Sequence, residues 1–263
     1  MTGSTISSPG RPGLTSQEIV AGLRALGIEA GSAILVHSSL SSFGYVAGGA
    51  GAVIDAMLAA VGPAGTVVVP TLTGTPQDGP AHPPVFNVRS SPCWTGRIPT
   101  EFLRRPGVRR SLHPTHSVAG LGALMPALVE GHESCLTPCG PQSPYYRLAE
   151  KGGFVVLLGV GQGSNTTLHT AEELAGVPYH LQGEPTDCVV IGYDGVRRVY
   201  RLYLHAWGTP RRFERIDEDL TQLGIMRMGT IGLATVRVIR ALPMIEWVVG
   251  KLREDPGYLV AAR

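Results

Sequence analysis

Paired cysteine motifs and long apolar runs are missing from this sequence. The four cysteines, Cys93, Cys135, Cys139 and Cys188, form no C-x-x-C unit, which argues against a zinc knuckle and a disulfide scaffold and indicates reduced thiols. No apolar run reaches the ~18 residues that a membrane span needs. The polar N-terminal segment also lacks the apolar stretch of a signal peptide. A cytoplasmic protein without a membrane partner is therefore expected.

Charge is scarce and balanced. Only 16% of the residues are charged, and 22 Lys and Arg against 20 Asp and Glu give a net charge of +2. Basic clusters are short, as at Arg104 and Arg105. Because nucleic-acid-binding proteins concentrate basic residues on one surface, this composition predicts no nucleic-acid partner.

The length of the chain and its apolar content favour one large domain. The 263 residues include 43% hydrophobic residues, enough to bury a substantial core. Residues 1–14 are predicted to be a flexible leader and residues 15–223 to form an α/β domain. Residues 224–263, where Pro243 interrupts an amphipathic run, are predicted to add packing helices to the same domain.

Two predicted strands end in similar polar turns. Residues 33–36 run into a hydroxyl-rich turn at residues 37–42, and residues 66–69 run into another at residues 70–73. If the two strands are parallel, their carboxyl ends and the polar turns that follow them lie at one edge of the sheet, where ligands bind. The pattern predicts a mixed α/β fold with a largely parallel central sheet flanked by helices.

Two further segments extend this prediction. Residues 74–92 are rich in proline and glycine and predict a long functional loop. Residues 187–191 and 196–204 flank a turn and predict an antiparallel hairpin that extends the sheet.

The segment after residue 153 has the pattern most typical of a catalytic site. Residues 154–158 predict a buried strand, and a glycine-rich turn leads from it into a helix that carries His169 and Glu172. Residues three apart share a helix face, so Glu172 can hold one ring nitrogen of His169 while the other faces a substrate. The pair suits a general base. From the residues alone, a solvated or structural histidine remains an alternative. The glycine spacing does not fit the dinucleotide fingerprint G-x-G-x-x-G.

Two further histidines flank a proline. Pro114 favours an extended backbone before it, so His113 and His116 need not converge on a metal ion. A ligand-binding loop is predicted here, and no metal is expected.

Five segments, taken in this order, resemble the aminoglycoside 3-N-acetyltransferase (antibiotic N-acetyltransferase) family. They are LVHSSLSSFG (residues 35–44), GPAGTVVVPT (62–71), GRIPTEFLRRPGVRRSLHPTHSVAGLG (96–122), SPYYRL (143–148) and LLGVGQGSNTTLHTAE (157–172). The resemblance implies an acetyl-coenzyme A donor, a small-molecule amine acceptor and a mixed α/β fold that differs from the GCN5-type acetyltransferases.

The resemblance also implies site residues. The residues that the resemblance implies to be catalytic are His169, Glu172 and His205. The residues implied to bind coenzyme A are His37, Ser38, Ser39, Leu40, Ser41, Thr71, His113, Ser117 and Val118. Oligomeric state is left open, and a homodimer is compatible with the sequence.

One departure from the family pattern concerns the acceptor. Phe86, Asn87 and Val88 stand where relatives often have the acidic sequence Phe-Asp-Pro, and the chain as a whole is not acidic. Aminoglycosides are polycations, and a site for them should present several carboxylates. The resemblance implies an aminoglycoside or a related amino compound as acceptor, and the lack of acidic residues leaves open another amine with a role in natural-product biosynthesis.

The residues fit direct attack of the amine on the thioester, assisted by His169. A cysteinyl relay would need an activated thiol, and only Cys93 lies near a predicted ligand loop. Two alternatives stay open. One is a metal-dependent hydrolase that uses some of the histidines with Glu172, and the other is a protein that binds an antibiotic or a coenzyme without turnover.

Overall fold

The computed structural model describes residues 13–261. Within them the helices are Ser16–Ala25 (α1), Gly49–Val61 (α2), Arg97–Phe102 (α3), Met125–Val129 (α4), Pro144–Glu150 (α5), Thr167–Ala175 (α6), Asp217–Gln222 (α7) and Ala241–Glu254 (α8). The strands are Ala33–Ser38 (β1), Thr66–Pro70 (β2), Val85–Asn87 (β3), Arg109–Arg110 (β4), Val118–Gly122 (β5), Phe154–Leu158 (β6), Thr186–Ile191 (β7), Arg197–Leu202 (β8), Met226–Ile231 (β9) and Ala234–Arg240 (β10).

A seven-stranded mixed sheet organises the described part of the chain. Its order is β4-β5-β2-β1-β6-β10-β9. β1 runs parallel to β2 and to β6, while the outer strands pair in antiparallel fashion. The predicted mixed α/β fold is confirmed, with parallel pairing confined to the three central strands. These strands read as continuous apolar runs because helices cover both faces of the sheet.

Two cores lie on the two faces of this sheet. Side chains of α1, α2 and α3 pack on one face, around Ile54 and Phe102. Side chains of α4, α5, α6 and α8 pack on the other, around Tyr145 and Leu168. Successive residues of β1 alternate between the cores, with Ile34 in the first and Leu35 in the second. The central strands are therefore fixed on both sides.

The predicted antiparallel hairpin is confirmed, but it belongs to a separate three-stranded sheet and does not extend the main sheet. β7 and β8 pair antiparallel, and β3 pairs parallel to β7. Residues 85–87 lie inside the segment predicted to be irregular, so part of that loop is a strand. Phe86 of β3 packs with Val190 of β7, which holds the loop against the hairpin.

The prediction of packing helices for residues 224–263 is wrong for its first half. Residues 226–240 form the hairpin β9–β10, and β10 pairs antiparallel to β6 in the main sheet. Helix begins only at Ala241, and Pro243 lies in the first turn of α8, where its missing N–H costs no helical hydrogen bond. The C-terminal segment thus completes the main sheet.

The predicted leader lies mostly outside the described residues. Residues 1–12 are not described, whereas Leu14 forms a parallel bridge with Val46 and its N–H donates to Tyr45 O at 2.8 Å. Leu14, the last residue of the predicted leader, is thus bonded to the turn before α2. Among the described residues, no helix has the length and apolar character to cross a membrane.

Candidate active site

A cavity of about 510 Å³ opens where the three central strands end. His37 and Ser38 reach it from the end of β1, Pro70 from the end of β2, and Val160 from the glycine turn after β6. The volume lies in the range typical of small-molecule sites. The sheet edge that the sequence predicts for ligand binding is therefore the edge that carries the cavity.

His169 and Glu172 meet on α6 as a hydrogen-bonded pair. His169 Nδ1 lies 2.6 Å from Glu172 Oε2. The His169 side chain is 24% exposed and lines the cavity, whereas that of Glu172 is fully buried. Because an ionised carboxylate only accepts hydrogen bonds, Nδ1 carries the proton and Nε2 is left as the nitrogen that can take one.

Glu172 also contacts two side chains that are distant in the sequence. His180 Nδ1 lies 3.0 Å from Oε2, and Arg211 Nε donates to Oε1 at 3.1 Å. Burial raises the pKa of Glu172, but the hydrogen bonds from His169 and His180 lower it more, and the net pKa lies well below its ordinary value. Glu172 is therefore a carboxylate throughout the neutral range.

A second carboxylate, Glu173, contacts the neighbouring histidines. Glu173 Oε1 lies 3.2 Å from His205 Nε2 and accepts the backbone N–H of Cys139 at 2.9 Å. His180 Nε2 is 3.6 Å away, a distance that gives electrostatic contact without a hydrogen bond. The His205 ring lies 4.8 Å from that of His169 and 4.1 Å from that of His116, centroid to centroid.

The histidines of this cluster differ in their pKa values. Burial lowers the pKa of His169, and the bond to Glu172 only partly offsets it, so the ring is neutral and basic near pH 7. Burial also lowers the pKa of His180, but the carboxylates of Glu172 and Glu173 outweigh this effect and the net pKa is raised. The pKa values of His116 and His205 are well below 6.5, chiefly because of burial.

A second cavity adjoins the first at Ser38. It measures about 600 Å³ and is lined by Ser38, Ser39, Leu40 and Ser41, together with the start of α2 at Gly49. Ser38 Oγ is buried and has no hydrogen-bond partner among the described residues, although it lines both cavities. An unpartnered buried hydroxyl at this position is free to bind a ligand.

The turn around these serines is fixed to the glycine turn after β6. Ser42 Oγ donates to Gly159 O at 2.8 Å, and Ser39 N donates to Leu158 O at 2.9 Å. Gly159 has a φ of +70°, and a Cβ there would lie 2.5 Å from Ser42 Cβ. Glycine is thus required at 159 by both conformation and close approach.

Comparison with known proteins places this architecture in a known family. Residues 35–253 match the family model described as aminoglycoside 3-N-acetyltransferase. The chain belongs to this family. It is 35% identical to aminoglycoside N(3)-acetyltransferase IV of Salmonella sp over 91% of the chain and 87% of that protein. It is 34% identical to aminoglycoside N(3)-acetyltransferase VII of Streptomyces paromomycinus over 93% of the chain and 93% of that protein.

Solved structures of family members share the fold. AAC(3)-IVa in complex with gentamicin matches with a TM-score of 0.82 and 31% identity, over 97% of this chain and 94% of that one. AAC-IIIb in a binary complex with CoASH matches with a TM-score of 0.81 and 27% identity, over 92% of this chain and 97% of that one. The comparisons give no support to a metal-dependent hydrolase.

The structure separates the donor-binding residues predicted for this acetyltransferase into two groups. His37, Ser38, Ser39, Leu40 and Ser41 line one or both cavities. The His37 ring is also buried, which lowers its pKa to about 3, and its Nε2 accepts the backbone N–H of Thr166 at 3.4 Å. The His37 ring is therefore a neutral hydrogen-bond acceptor at the cavity.

The other four predicted donor-binding residues, Thr71, His113, Ser117 and Val118, line neither of these cavities. Thr71 Oγ1 and Ser117 Oγ lie 2.9 Å apart and both contact Arg110 Nε, while Val118 packs in the core. His113 Nδ1 accepts the N–H groups of Thr115 and His116 at 3.2 and 3.0 Å. These side chains make internal contacts in the structure, and their part in donor binding stays a prediction.

Some residues that line the cavity or contact its wall were absent from the predicted site residues. They are His116, His180, Glu173, Arg211, Trp94 and Trp207. Glu173 could have been found from its place beside Glu172. His180 and Arg211 follow turns with no regular spacing from α6, so the sequence carries no signal for them.

Three groups of donor atoms also satisfy the distance requirement for a metal ion. They are His116–Cys139–His205, His169–Glu172–His180 and Glu173–His180–His205, with atoms within 4.8 Å of one another. The carboxylates already accept bonds from histidine, arginine or backbone N–H groups, and burial raises the pKa of Cys139 well above its ordinary value. These contacts account for the two groups that contain a carboxylate as hydrogen-bonded clusters.

Proposed function

We propose that this chain transfers an acetyl group from acetyl-coenzyme A to an amine of an aminoglycoside or a related amino compound. Family membership supports the reaction, and the CoASH-bound AAC-IIIb and gentamicin-bound AAC(3)-IVa support the two substrates. The observation that carries the proposal is the His169–Glu172 pair, held at 2.6 Å on the wall of a cavity that meets the serine turn at Ser38. A homodimer and a cytoplasmic location remain predictions.

In the proposed mechanism His169 Nε2 removes a proton from the acceptor ammonium. The lone pair of the resulting amine attacks the thioester carbonyl carbon, and a C–N bond forms. As the tetrahedral intermediate collapses, the C–S bond breaks, and the coenzyme A thiolate takes up the second proton that the attacking nitrogen gives up. Glu172 keeps the His169 proton on Nδ1 and stabilises the imidazolium, and a positioned base of this kind contributes about 10² to 10⁴ in rate.

The same mechanism needs a donor for the oxygen that gains charge. Ser39 N–H and Gly163 N–H are already donated to Leu158 O and Glu214 Oε1. Ser38 Oγ has no partner in the described part of the chain and lies between the cavities, so we assign its hydroxyl to the thioester or the adjoining pantetheine amide. His205 contacts His169 and Glu173, and its assigned role is to position the pair.

The first experiment separates the base from the donor site. His169→Ala should abolish thiol release from acetyl-coenzyme A with a panel of amines, while the Kd of coenzyme A changes by less than about threefold because the ring does not line the serine cavity. His82→Ala, at an exposed histidine, is the control. If His169→Ala retained turnover, a residue other than His169 would be the general base.

The second experiment tests the donor cavity. Saturating coenzyme A should raise the melting temperature of the protein, and Ser38→Leu with Ser39→Leu should remove that increase because the leucines fill the cavity. Binding of coenzyme A without acetylation of any amine would instead favour a non-catalytic binding protein.

A further inference from the structure

The side chain of His180 lies between two buried carboxylates. It is 1% exposed and follows α6 in the chain. Its Nδ1 lies 3.0 Å from Glu172 Oε2, and its Nε2 lies 3.6 Å from Glu173 Oε1. Nε2 is buried and has no hydrogen-bond partner in the part of the chain that the structure describes. One ring therefore contacts both carboxylates behind the wall of the cavity.

Main-chain and ring contacts hold His180 in this place. Its carbonyl oxygen accepts the N–H of Ala206 at 2.7 Å, and the next residue, Leu181, forms an antiparallel bridge with His205. The ring of His180 stacks on that of His169, with 4.8 Å between the centroids and 23° between the planes. It also lies 4.0 Å from the ring of His205. The position of the imidazole is thus fixed from several sides.

The two carboxylates carry more charge than the fixed cations around them. Arg211 pairs with Glu172, and among the described residues no lysine or arginine nitrogen lies within ion-pair distance of Glu173. His205 is neutral, because burial holds its pKa well below 6.5. One negative charge is left over, and burying it unpaired is costly. A proton on His180 supplies the missing positive charge.

The titratable groups around His180 agree with this assignment. Burial lowers the pKa of His180, but Glu172 and Glu173 raise it more, so the net pKa lies above its ordinary value. Burial raises the pKa of the neighbouring Tyr179, which stays neutral. Burial lowers the pKa values of the other titratable rings nearby, which are His116, His169 and His205. His180 is therefore the histidine of this cluster that carries a proton on both nitrogens.

We propose, resting on the acetyl-transfer function above, that His180 is a positioning residue that acts as an imidazolium, balances Glu172 and Glu173, and keeps Nε2 of His169 free to accept a proton. Its positive charge, one stacked ring away, disfavours a second proton on His169. Without this charge the carboxylates would hold His169 as an imidazolium, which takes no proton from the acceptor ammonium. After the transfer, the same repulsion helps His169 to release its proton.

The test replaces His180 with glutamine, which keeps a polar amide and removes the charge. kcat of His180→Gln is divided by that of the wild type at each pH from about 5.5 to about 9, which cancels the ionisation of the acceptor. The substrates are saturating acetyl-coenzyme A and gentamicin, or the amine of the panel that the wild type acetylates fastest. We expect the acidic limb to move about one unit to higher pH, so that the ratio is about fivefold lower at about pH 6 than at about pH 8.5. The KM values should stay within about threefold.

A second buried histidine provides the control. His132 is also fully buried and hydrogen-bonded, but it contacts neither Glu172 nor Glu173. His132→Gln should lower the melting temperature and leave the midpoint of the acidic limb unchanged. If His180 had a merely structural role, its replacement would lower kcat by the same factor at every pH. That result, or a wild-type kcat throughout, would overturn the inference.

Two measurements without turnover separate the inference from the proposed function. A raised folded-state pKa stabilises the protein below the ordinary value of 6.5 and ceases to do so as the pH rises through the folded-state pKa. In urea unfolding, the stability difference between wild type and His180→Gln should therefore be larger at about pH 6.5 than at about pH 9. If the variant does not fold, ¹⁵N-histidine NMR of the wild type at about pH 6.5 should show both ring nitrogens of His180 protonated.

The outcomes of these measurements are distinct. An equal stability difference at the two pH values, or a neutral His180 ring in the NMR spectrum, would overturn the inference whether or not the enzyme turns over. A wild type that acetylates no amine would refute the proposed reaction and the role of His180 in it, while a charged His180 would still be established by the other two measurements.

Discussion

Replacement of Glu172 by glutamine tests whether this carboxylate organises the site. The side chain is fully buried, and its two oxygens lie within 3.1 Å of nitrogen atoms of His169, His180 and Arg211. Glutamine keeps the shape but removes the charge and one acceptor oxygen. Because removal of one partner from a buried ion pair costs about 3 to 5 kcal/mol, and Arg211 keeps some contact with solvent, we expect the free energy of unfolding to fall by about 3 kcal/mol.

The same substitution should reduce activity far more than unfolding can explain. Without the carboxylate, the proton of His169 is no longer fixed on Nδ1, and acetyl transfer should fall by about 10²-fold or more. A domain with 5 to 15 kcal/mol of stability that loses about 3 kcal/mol remains mostly folded at 25 °C. A hundredfold loss of turnover would therefore report on the chemistry.

The pH dependence of stability gives an independent check on the contribution of the Glu172 carboxylate to the free energy of unfolding. The folded-state pKa of Glu172 lies below its ordinary value of 4.5, so its stabilising contribution is present above pH 4.5 and is lost as the pH falls below that value. The stability difference between wild type and Glu172→Gln should shrink in acid. Urea unfolding and turnover would be measured on the same samples, with exposed Glu246→Gln as control. Near-wild-type turnover, or a stability difference that grows below pH 4.5, would refute the reasoning.

Two further predictions follow from the geometry. Gly159→Ala should lower the free energy of unfolding by about 1 to 3 kcal/mol and weaken coenzyme A binding, because its Cβ would displace Ser42. Its control, Gly250→Ala on the open surface of α8, should stabilise by about 0.5 to 1 kcal/mol, and equal effects in urea unfolding would contradict the steric argument. Because burial lowers the pKa of His169, the acidic limb of the rate at saturating substrates should have its midpoint below pH 6.5; a midpoint above 6.5 would exclude His169 as the base.

Local patterns predicted much of the fold and part of the site. Residues 154–158 form β6 as predicted, because a continuous apolar run suits a strand covered on both faces. The spacing of three between His169 and Glu172 was sufficient to predict their contact, because helix geometry fixes it.

The C-terminal hairpin could not be predicted in the same way. Residues 226–240 alternate only partly, since Gly229 and Gly232 interrupt the apolar pattern, and the apolar residues that follow in α8 extend it with a helical period. What makes residues 234–240 a strand is pairing with β6, and that partner lies about 80 residues earlier in the chain. Tertiary pairing overrode the local signal.

Arg110 explains why Thr71 and Ser117, two of the predicted donor-binding residues, make internal contacts. This side chain is 4% exposed, and among the described residues its hydrogen-bond partners are neutral oxygens: Thr71 Oγ1 at 3.2 Å, Ser117 Oγ at 3.1 Å, Thr71 O at 3.0 Å and Ser91 O at 2.6 Å. A buried guanidinium must have its donors satisfied, which requires hydroxyl residues at the neighbouring strand ends. From sequence, hydroxyls that satisfy a buried cation and hydroxyls that bind a ligand look the same. They differ in whether a hydrogen-bond partner reaches them in three dimensions: within residues 13–261, the hydroxyls of Thr71 and Ser117 have one and that of Ser38 has none.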